Sequence, residues 1–248
     1  MSRQFVLKKF LRQAPNDLIC EYLKTMDVGA DIDWKLLRPK DVDPILKAID
    51  SSSPETQERV KAAFSEINDL ADNSGIVTLI DVGRMLDPSL NLAEELAGMI
   101  SNHRRAFWAF LHHPSVFSKA RKVDEFSDSR VEVIPTALML PDSWSWETSI
   151  ERIRDSVSQF YQYHEGRGEG CEVDYEHIGS KHYWFVYLEN YTNIEMGFNE
   201  SHQLDLLVHR PMFSISYRFD ETDGRLEIAG VTQKKRIAEL RDIFTRAV

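Results

Sequence analysis

The spacing of apolar residues changes near residue 147, and this change constrains the fold more than any other feature of the sequence. Before that point, apolar residues recur every three or four positions, which is typical of amphipathic helices. One more helix of this kind is predicted from about residue 147 to residue 164. After it, apolar and polar residues alternate, which is typical of strands. We therefore predict an α+β protein, with an N-terminal irregular helical bundle followed by a domain with an antiparallel sheet and flanking helices.

Three segments follow from these patterns. Residues 1–122 are predicted to form the helical domain, as a run of short amphipathic helices. Residues 123–146 are predicted to be a connector, because Pro135 and Pro141 prevent a helix there, and residues 131–134 suit a short strand. Residues 147–248 are predicted to form the α+β domain, as a helix, four or five antiparallel strands and a final helix from about residue 233.

Within the helical domain, local signals predict several helix ends. Ser53, followed by proline and glutamate, predicts a helix start, and that helix is expected to stop near residues 73–75. Asp33 is predicted to cap a short helix. Further helices are expected at about 76–85, 92–111 with a break near 101–102, and 114–122.

Two hairpins are predicted in the α+β domain. A two-residue turn at Gly179-Ser180 pairs Cys171 with Leu188, and places acidic beside aromatic side chains on one face, an unusual surface unless it is covered. A second hairpin joins 212–219 to 225–229, with Phe219 opposite Leu226 across a four-residue loop, and residues 203–209 form another strand.

The charge of the chain is segregated. The net charge of −10 argues against extensive binding to nucleic acid or anionic membranes. Residues 96–123, however, carry five basic side chains, no acid and several aromatics, and they supply six candidate binding residues: Arg104, Arg105, Trp108, Lys119, Arg121 and Lys122. Such a stretch can contact phosphates and stack bases, or dock on an acidic protein. Alternatively, its basic side chains pair with the chain's own acids while Phe107 and Phe110 enter the core.

The N-terminal segment and the cysteines bear on the cellular compartment. Residues 1–13 carry four basic residues, including Arg3, but their apolar run is too short for a secretory signal, and Asp17 and Glu21 follow at once. No apolar run is long enough for a membrane-spanning helix. Cys20 and Cys171 match neither a disulfide framework nor zinc-ligand spacing. We therefore expect a cytoplasmic protein with reduced thiols.

The glycine-rich loop at residues 166–170 contributes a seventh candidate binding residue, Arg167. Backbone N–H groups of such loops can hold phosphate, but dinucleotide and P-loop motifs place the loop between a strand and a helix. Here a helix precedes the loop and a strand follows it, so we interpret the loop as a flexible connector.

A metal site at the first hairpin is the remaining chemical hypothesis. His177 and His182 oppose each other, and His164 or Glu176 can supply a further ligand. Because four ligands in a fixed geometry are not visible and hairpin tips are hydrated, we predict no metal site. The acidic row of Glu172, Asp174 and Glu176 is interpreted as a solvated or partner-facing stripe rather than as a nuclease centre.

No catalytic constellation and no cofactor motif is found in the sequence. We therefore expect a non-catalytic cytoplasmic interaction protein, such as one subunit of a larger assembly. Another protein is the favoured partner, and homo-oligomerisation stays open. No membrane partner is predicted. The alternative is an enzyme acting on phosphate esters or nucleic acid, or a nucleic-acid binder using residues 96–123.

Overall fold

The structure is a computed structural model that describes residues 5–135, 138–141, 143–199, 201 and 203–248. Arg3 of the basic N-terminal segment lies outside the described residues. The chain divides into two compact units, Met1–Glu125 and Phe126–Val248. The first is built from helices and the second contains an antiparallel sheet, so the predicted α+β class is confirmed.

The helices of the first unit range from 5 to 16 residues, and the last of them extends three residues into the second unit. They are α1 (Leu7–Leu11), α2 (Asn16–Lys24), α3 (Asp43–Asp50), α4 (Pro54–Asp69), α5 (Asn73–Leu86), α6 (Leu92–Ala97), α7 (Asn102–His112) and α8 (Pro114–Asp128). The break predicted near residues 101–102 is confirmed as the gap between α6 and α7. Helix α8 runs past its predicted end at Lys122, and α3 is absent from the predictions.

Side-chain caps explain where these helices begin. The Ser53 hydroxyl accepts the Thr56 N–H at 3.2 Å, which confirms the start of α4. The predicted stop at residues 73–75 is wrong, because the Asp72 carboxylate accepts the Gly75 N–H at 2.9 Å and starts α5 there. The helix predicted after Asp33 is also absent, since its carboxylate accepts the N–H groups of a turn.

Aromatic rings fill the core of the first unit. Phe10 stacks on Phe64 with ring centroids 4.9 Å apart, and Phe107 meets Phe64 edge-on at 5.7 Å. Tyr22 meets Phe110 edge-on at 5.6 Å. The apolar side of α7 therefore belongs to the core, as one of the alternatives for residues 96–123 predicts.

The second unit contains a five-stranded antiparallel sheet in the order β1-β7-β6-β3-β2. Its strands are β1 (Val131–Pro135), β2 (Cys171–Ile178), β3 (Lys181–Glu189), β6 (Met212–Asp220) and β7 (Arg225–Ala229). Both hairpin registers are confirmed, with Cys171 opposite Leu188 and Phe219 opposite Leu226. The short strand predicted at 131–134 is confirmed as β1, and it pairs with β7.

Helices α9 (Trp146–Glu165) and α10 (Ile237–Ala247) contribute to one core with the sheet. A 3₁₀ turn, Lys234–Arg236, precedes α10, so the final helix begins later than predicted. Trp184 of β3 meets Phe244 of α10 edge-on at 5.1 Å, and the Tyr217 hydroxyl donates to the Leu240 carbonyl at 3.3 Å. The central strands and α10 are therefore fixed to each other by both apolar and polar contacts.

The acidic and aromatic face predicted for the first hairpin also exists, but its aromatic members Tyr183 and Phe185 are buried. Phe126 meets Tyr183 edge-on at 5.9 Å, and the Arg218 guanidinium lies 4.9 Å from the centre of the Phe126 ring. Arg218 also pairs with the buried carboxylate of Glu227. A partner protein is therefore not needed to bury these two aromatic side chains.

Strands β4 (Asn193–Phe198) and β5 (Leu204–His209) form a separate two-stranded sheet inserted between β3 and β6. We call this two-stranded sheet the β arm. The predicted strand at residues 203–209 is confirmed as β5, but it pairs with β4, which was not predicted, rather than joining the five-stranded sheet. Six residues per strand give the arm a length of about 20 Å.

Candidate functional site

Arg104 and Arg105, the first two candidate binding residues, lie on α7 and already have acceptors within the first unit. Arg104 makes two hydrogen bonds to the Asp17 carboxylate, both at 2.8 Å. Arg105 donates to the Leu96 carbonyl at 3.2 Å and to the Asn102 side chain at 3.0 Å. Phosphate binding here would have to replace these bonds, which include a bidentate charge-assisted pair.

The other candidates of this stretch are engaged in a similar way. Trp108 stacks on His112, with ring centroids 4.7 Å apart and planes 9° apart. Arg121 lies 3.7 Å from a carboxylate oxygen of Glu66. Lys119 and Lys122 also have interaction partners. The binding role of these residues stays a prediction, and for both α7 arginines and Arg121 the structure shows contacts within the first unit.

Arg167 is held tightly in the second unit. It pairs with Glu165 at 2.6 Å and donates to the Asn190 side chain at 2.8 Å. Its guanidinium carbon lies 3.8 Å from the centre of the Phe213 ring, within cation–π range. The Gly168 N–H also donates to the Glu189 carbonyl at 2.9 Å, so the glycine-rich loop is tied to the sheet rather than being a loose connector.

The hairpin tip brings together a histidine pair. His177 and His182 lie opposite each other as predicted, with their rings stacked 4.3 Å apart and 6° from parallel. Neither His164 nor Glu176, the two further ligands considered from the sequence, belongs to the cluster found among the described residues, and His164 instead contacts Glu239 of α10 at 2.9 Å. Glu221, in the turn after β6, is the third member, and one ligand atom from each of the three side chains lies within 4.8 Å of the others.

His182 is the fixed member of this cluster, with a side chain only 2% exposed. Its Nδ1 lies 2.6 Å from the Tyr175 hydroxyl and its Nε2 lies 2.5 Å from Glu221 Oε1. Burial lowers the pKa of His182, while burial, Glu221 and Glu147 raise the pKa of Tyr175. A neutral imidazole therefore accepts a hydrogen bond from the Tyr175 hydroxyl at Nδ1 and donates one from Nε2–H to Glu221.

Two tryptophans border the cluster. The Trp144 ring meets His182 edge-on at 5.1 Å, and the Trp146 ring stacks on Tyr175 at 5.7 Å. Trp146 is 46% exposed. Its exposed ring leaves one side of the Tyr175 stack in contact with solvent.

The β arm carries a cluster of exposed apolar side chains. Three apolar pairs face each other across its strands and share one face, and all six side chains are between 60% and 70% exposed. The pairs are Ile194 with Val208, Met196 with Leu206, and Phe198 with Leu204. We call these six residues the arm face. Contiguous exposed apolar patches of this kind typically mark interaction sites.

The opposite face of the arm differs in character. It carries Asn193, Glu195, Gly197, Asp205, Leu207 and His209. Leu207 lies across Gly197, where an added Cβ would come within 2.5 Å of the leucine side chain, and Leu207 is half-buried. The arm is therefore amphipathic, with one polar face and one apolar face.

The alternation of Leu204, Leu206 and Val208 predicted the strand, but not its partner. The strand pairs with β4 outside the main sheet, and these three side chains are exposed. The same alternation in β4, at Ile194, Met196 and Phe198, is the signal that could have revealed the hairpin.

Comparison of the chain with models of known protein families, with curated proteins and with solved structures finds no match. Among the described residues, no helix combines the length and apolar character needed to cross a lipid bilayer.

Proposed function

We propose that this protein is a non-catalytic assembly protein that associates through its β arm, with the arm face of one copy packed against the arm face of a second copy. The observation that carries the proposal is the set of six exposed apolar side chains on one face of a two-stranded sheet. A sheet normally buries its apolar face against another layer. The second layer is here supplied by the partner copy.

The size of the arm face supports a contact formed by two copies. Complete burial of one such side chain contributes about 1.5–3 kcal/mol, so burial of six that are some 60% exposed contributes roughly 5–11 kcal/mol per copy. Association costs roughly 4–15 kcal/mol in lost freedom and side-chain ordering. When two arm faces pack together, both contribute burial free energy, so the cost of association is offset more readily than when one arm face packs against a polar partner.

The composition of the arm face favours a second copy as the partner. All six side chains are apolar, so the face has no charge with which to select a complementary charged protein. The charged groups of the arm, Glu195 and Asp205, belong to the opposite face. A two-fold axis places identical patches against each other, and sheet-on-sheet packing at a spacing of about 10 Å lets their side chains interdigitate.

The alternative functions named above draw less support from the structure. A nucleic-acid interface at residues 96–123 would require Arg104 to exchange its two bonds to Asp17 for phosphate contacts.

The proposed compartment is the cytoplasm. The two free cysteines, Cys20 and Cys171, support it because reduced thiols are the rule there.

The test is the mass of the protein in solution, measured by light scattering and sedimentation equilibrium over a concentration series. The wild-type chain, of 28.7 kDa, is expected to appear at twice that mass. Leu206→Gln should shift the protein toward the monomer. Leu207→Gln is the matched control, because it makes the same change at the next residue, on the other face of the same strand.

A wild-type protein that stays at the mass of one chain throughout the series would overturn the proposal. So would equal dissociation by Leu206→Gln and Leu207→Gln, because the effect would then not belong to the arm face. Circular dichroism of both variants checks that the second unit keeps its strands.

A further inference from the structure

Two imidazoles and a carboxylate lie together where the β2–β3 turn meets the β6–β7 turn. We propose that His177, His182 and Glu221 bind one divalent transition-metal ion, with zinc as the favoured ion. This site is independent of the β arm and of the association proposed above. Imidazole nitrogen and carboxylate oxygen are ordinary zinc ligands, and three protein ligands plus one open position form a known type of zinc site.

The distances between ligand atoms in the cluster, from 2.5 Å to at most 4.8 Å, bracket the ligand spacing of a zinc coordination sphere. One ligand atom from each side chain lies within 4.8 Å of the other two. Zinc–nitrogen bonds of about 2.0–2.1 Å place two tetrahedral ligands about 3.3 Å apart. His182 Nε2 and Glu221 Oε1 lie closer than this, at 2.5 Å, in the hydrogen bond that the ion would replace.

His177 is the side chain that has to move. An imidazole nitrogen directs its lone pair in the plane of the ring, and two parallel rings 4.3 Å apart do not direct both lone pairs to one point. His177 is exposed, so its ring can turn toward Glu221 without disturbing the core. Metal binding is therefore expected to open the stack of the two histidines.

His182 is oriented for ligation by its neighbours. The side chain is buried, and Tyr175 holds Nδ1 at 2.6 Å, so that Nε2 is the nitrogen directed at Glu221. When Nε2 binds a metal, Nδ1 carries the ring proton and donates a hydrogen bond to the Tyr175 hydroxyl oxygen. A hydrogen bond to the second ring nitrogen is the usual way in which proteins orient a metal-binding histidine.

The three ligands come from two places in the chain. His177 and His182 flank the β2–β3 turn, while Glu221 lies in the turn between β6 and β7. One ion would therefore join two neighbouring turns at the same end of the sheet. The Trp144 ring, edge-on to His182 at 5.1 Å, limits the access of water to the histidine from its side.

The experiment uses the full chain, dialysed against chelator and titrated with zinc chloride in a calorimeter, with the metal content measured by mass spectrometry after gel filtration. One ion per chain is expected. His177→Ala and Glu221→Gln should each weaken binding about tenfold or more, and Tyr175→Phe should weaken it about tenfold through lost orientation. Cobalt(II) added in place of zinc should give the intense visible absorption of a tetrahedral site.

His164→Ala is the matched control, because His164 forms a separate histidine–glutamate pair with Glu239 at 2.9 Å. Its zinc affinity should equal that of the wild type. The proposal is overturned if the wild-type chain retains no zinc, or if His177→Ala and Glu221→Gln bind zinc as the wild type does. Substitution of the buried His182 is avoided because it can unfold the hairpin.

Discussion

Trp184 donates its indole N–H to the hydroxyl oxygen of Ser149 at 3.0 Å, and both side chains are fully buried. Ser149 in turn donates to the carbonyl of Trp146 at 2.8 Å. This chain of bonds joins β3, the second strand of the first hairpin, to the first turn of α9. The Ser149 hydroxyl thus supplies the hydrogen-bond acceptor for the indole N–H, which is the only polar group in the Trp184 side chain.

Ser149→Ala should lower the free energy of unfolding by about 1–3 kcal/mol, because the Trp184 N–H would stay buried without an acceptor. Urea unfolding followed by tryptophan fluorescence measures this change. In a double-mutant cycle with Trp184→Phe, Ser149→Ala should cost clearly less when the indole is already absent. Additive effects would show that the hydrogen bond contributes nothing of its own.

Gly230→Ala should destabilise the protein more than Gly166→Ala. Both glycines have positive φ, +80° and +64°, so each substitution introduces backbone strain of about 1–2 kcal/mol. At Gly230 the new Cβ would also come within 2.5 Å of the Ser214 carbonyl oxygen, whereas at Gly166 no atom lies within 4 Å. Thermal unfolding of the two variants measures the difference, and equal losses would contradict the close approach at Gly230.

Acid should destabilise the first unit through His103. Burial lowers the pKa of this histidine below 6.5, and its Nε2 is buried with no hydrogen-bond partner among the described residues. The unfolded chain therefore binds a proton more readily than the folded chain. Stability is complete above about pH 6.5 and falls as the pH drops from there through the lower pKa of the folded state.

The check for His103 is the unfolding free energy at several pH values between 7.5 and 5. The variant His103→Phe keeps a ring beside Phe10, which lies 5.9 Å from the histidine ring in the wild type. Its stability should fall less steeply with acid than that of the wild type. Parallel pH curves for the two proteins would show that His103 does not carry the effect.

The thiol of Cys171 should be unreactive in the folded protein. Burial, and then the nearby Glu172, raise its pKa to about 11, so very little thiolate exists at pH 8. In Cys20→Ala, whose only thiol is Cys171, Ellman's reagent should react slowly with the native protein and stoichiometrically in guanidinium chloride. Rapid labelling of the native variant would contradict the raised pKa of this thiol.

The parts of the fold that depend on neighbouring residues were predictable. The Gly179-Ser180 turn fixes the register of β2 and β3, because a two-residue loop leaves only one pairing that keeps Trp184 on the core face. The start of α4 was equally predictable, because Ser53 and Pro54 cap and begin a helix within one turn.

Features that depend on distant residues were not predictable in this way. β1 pairs with β7, and the β arm is inserted between β3 and β6. Both features depend on which distant strands become neighbours, and the local pattern of one sequence does not specify that. Glu221 was missed for the same reason, since it reaches His182 only because β6 lies beside β3. The residues that the sequence did identify, His177 and His182, are neighbours within one hairpin.

The position of β1 in the sheet has a consequence for how the protein is made. Val131 and its partner Ala229 are roughly a hundred positions apart in the chain, and such distant contacts form late in folding. While the ribosome translates the intervening residues, β1 has left the exit tunnel before its partner strand exists. Until residues 225–229 have been translated, β1 therefore has no strand partner in the sheet, and a stalled chain ending before Arg225 should be a good substrate for chaperones.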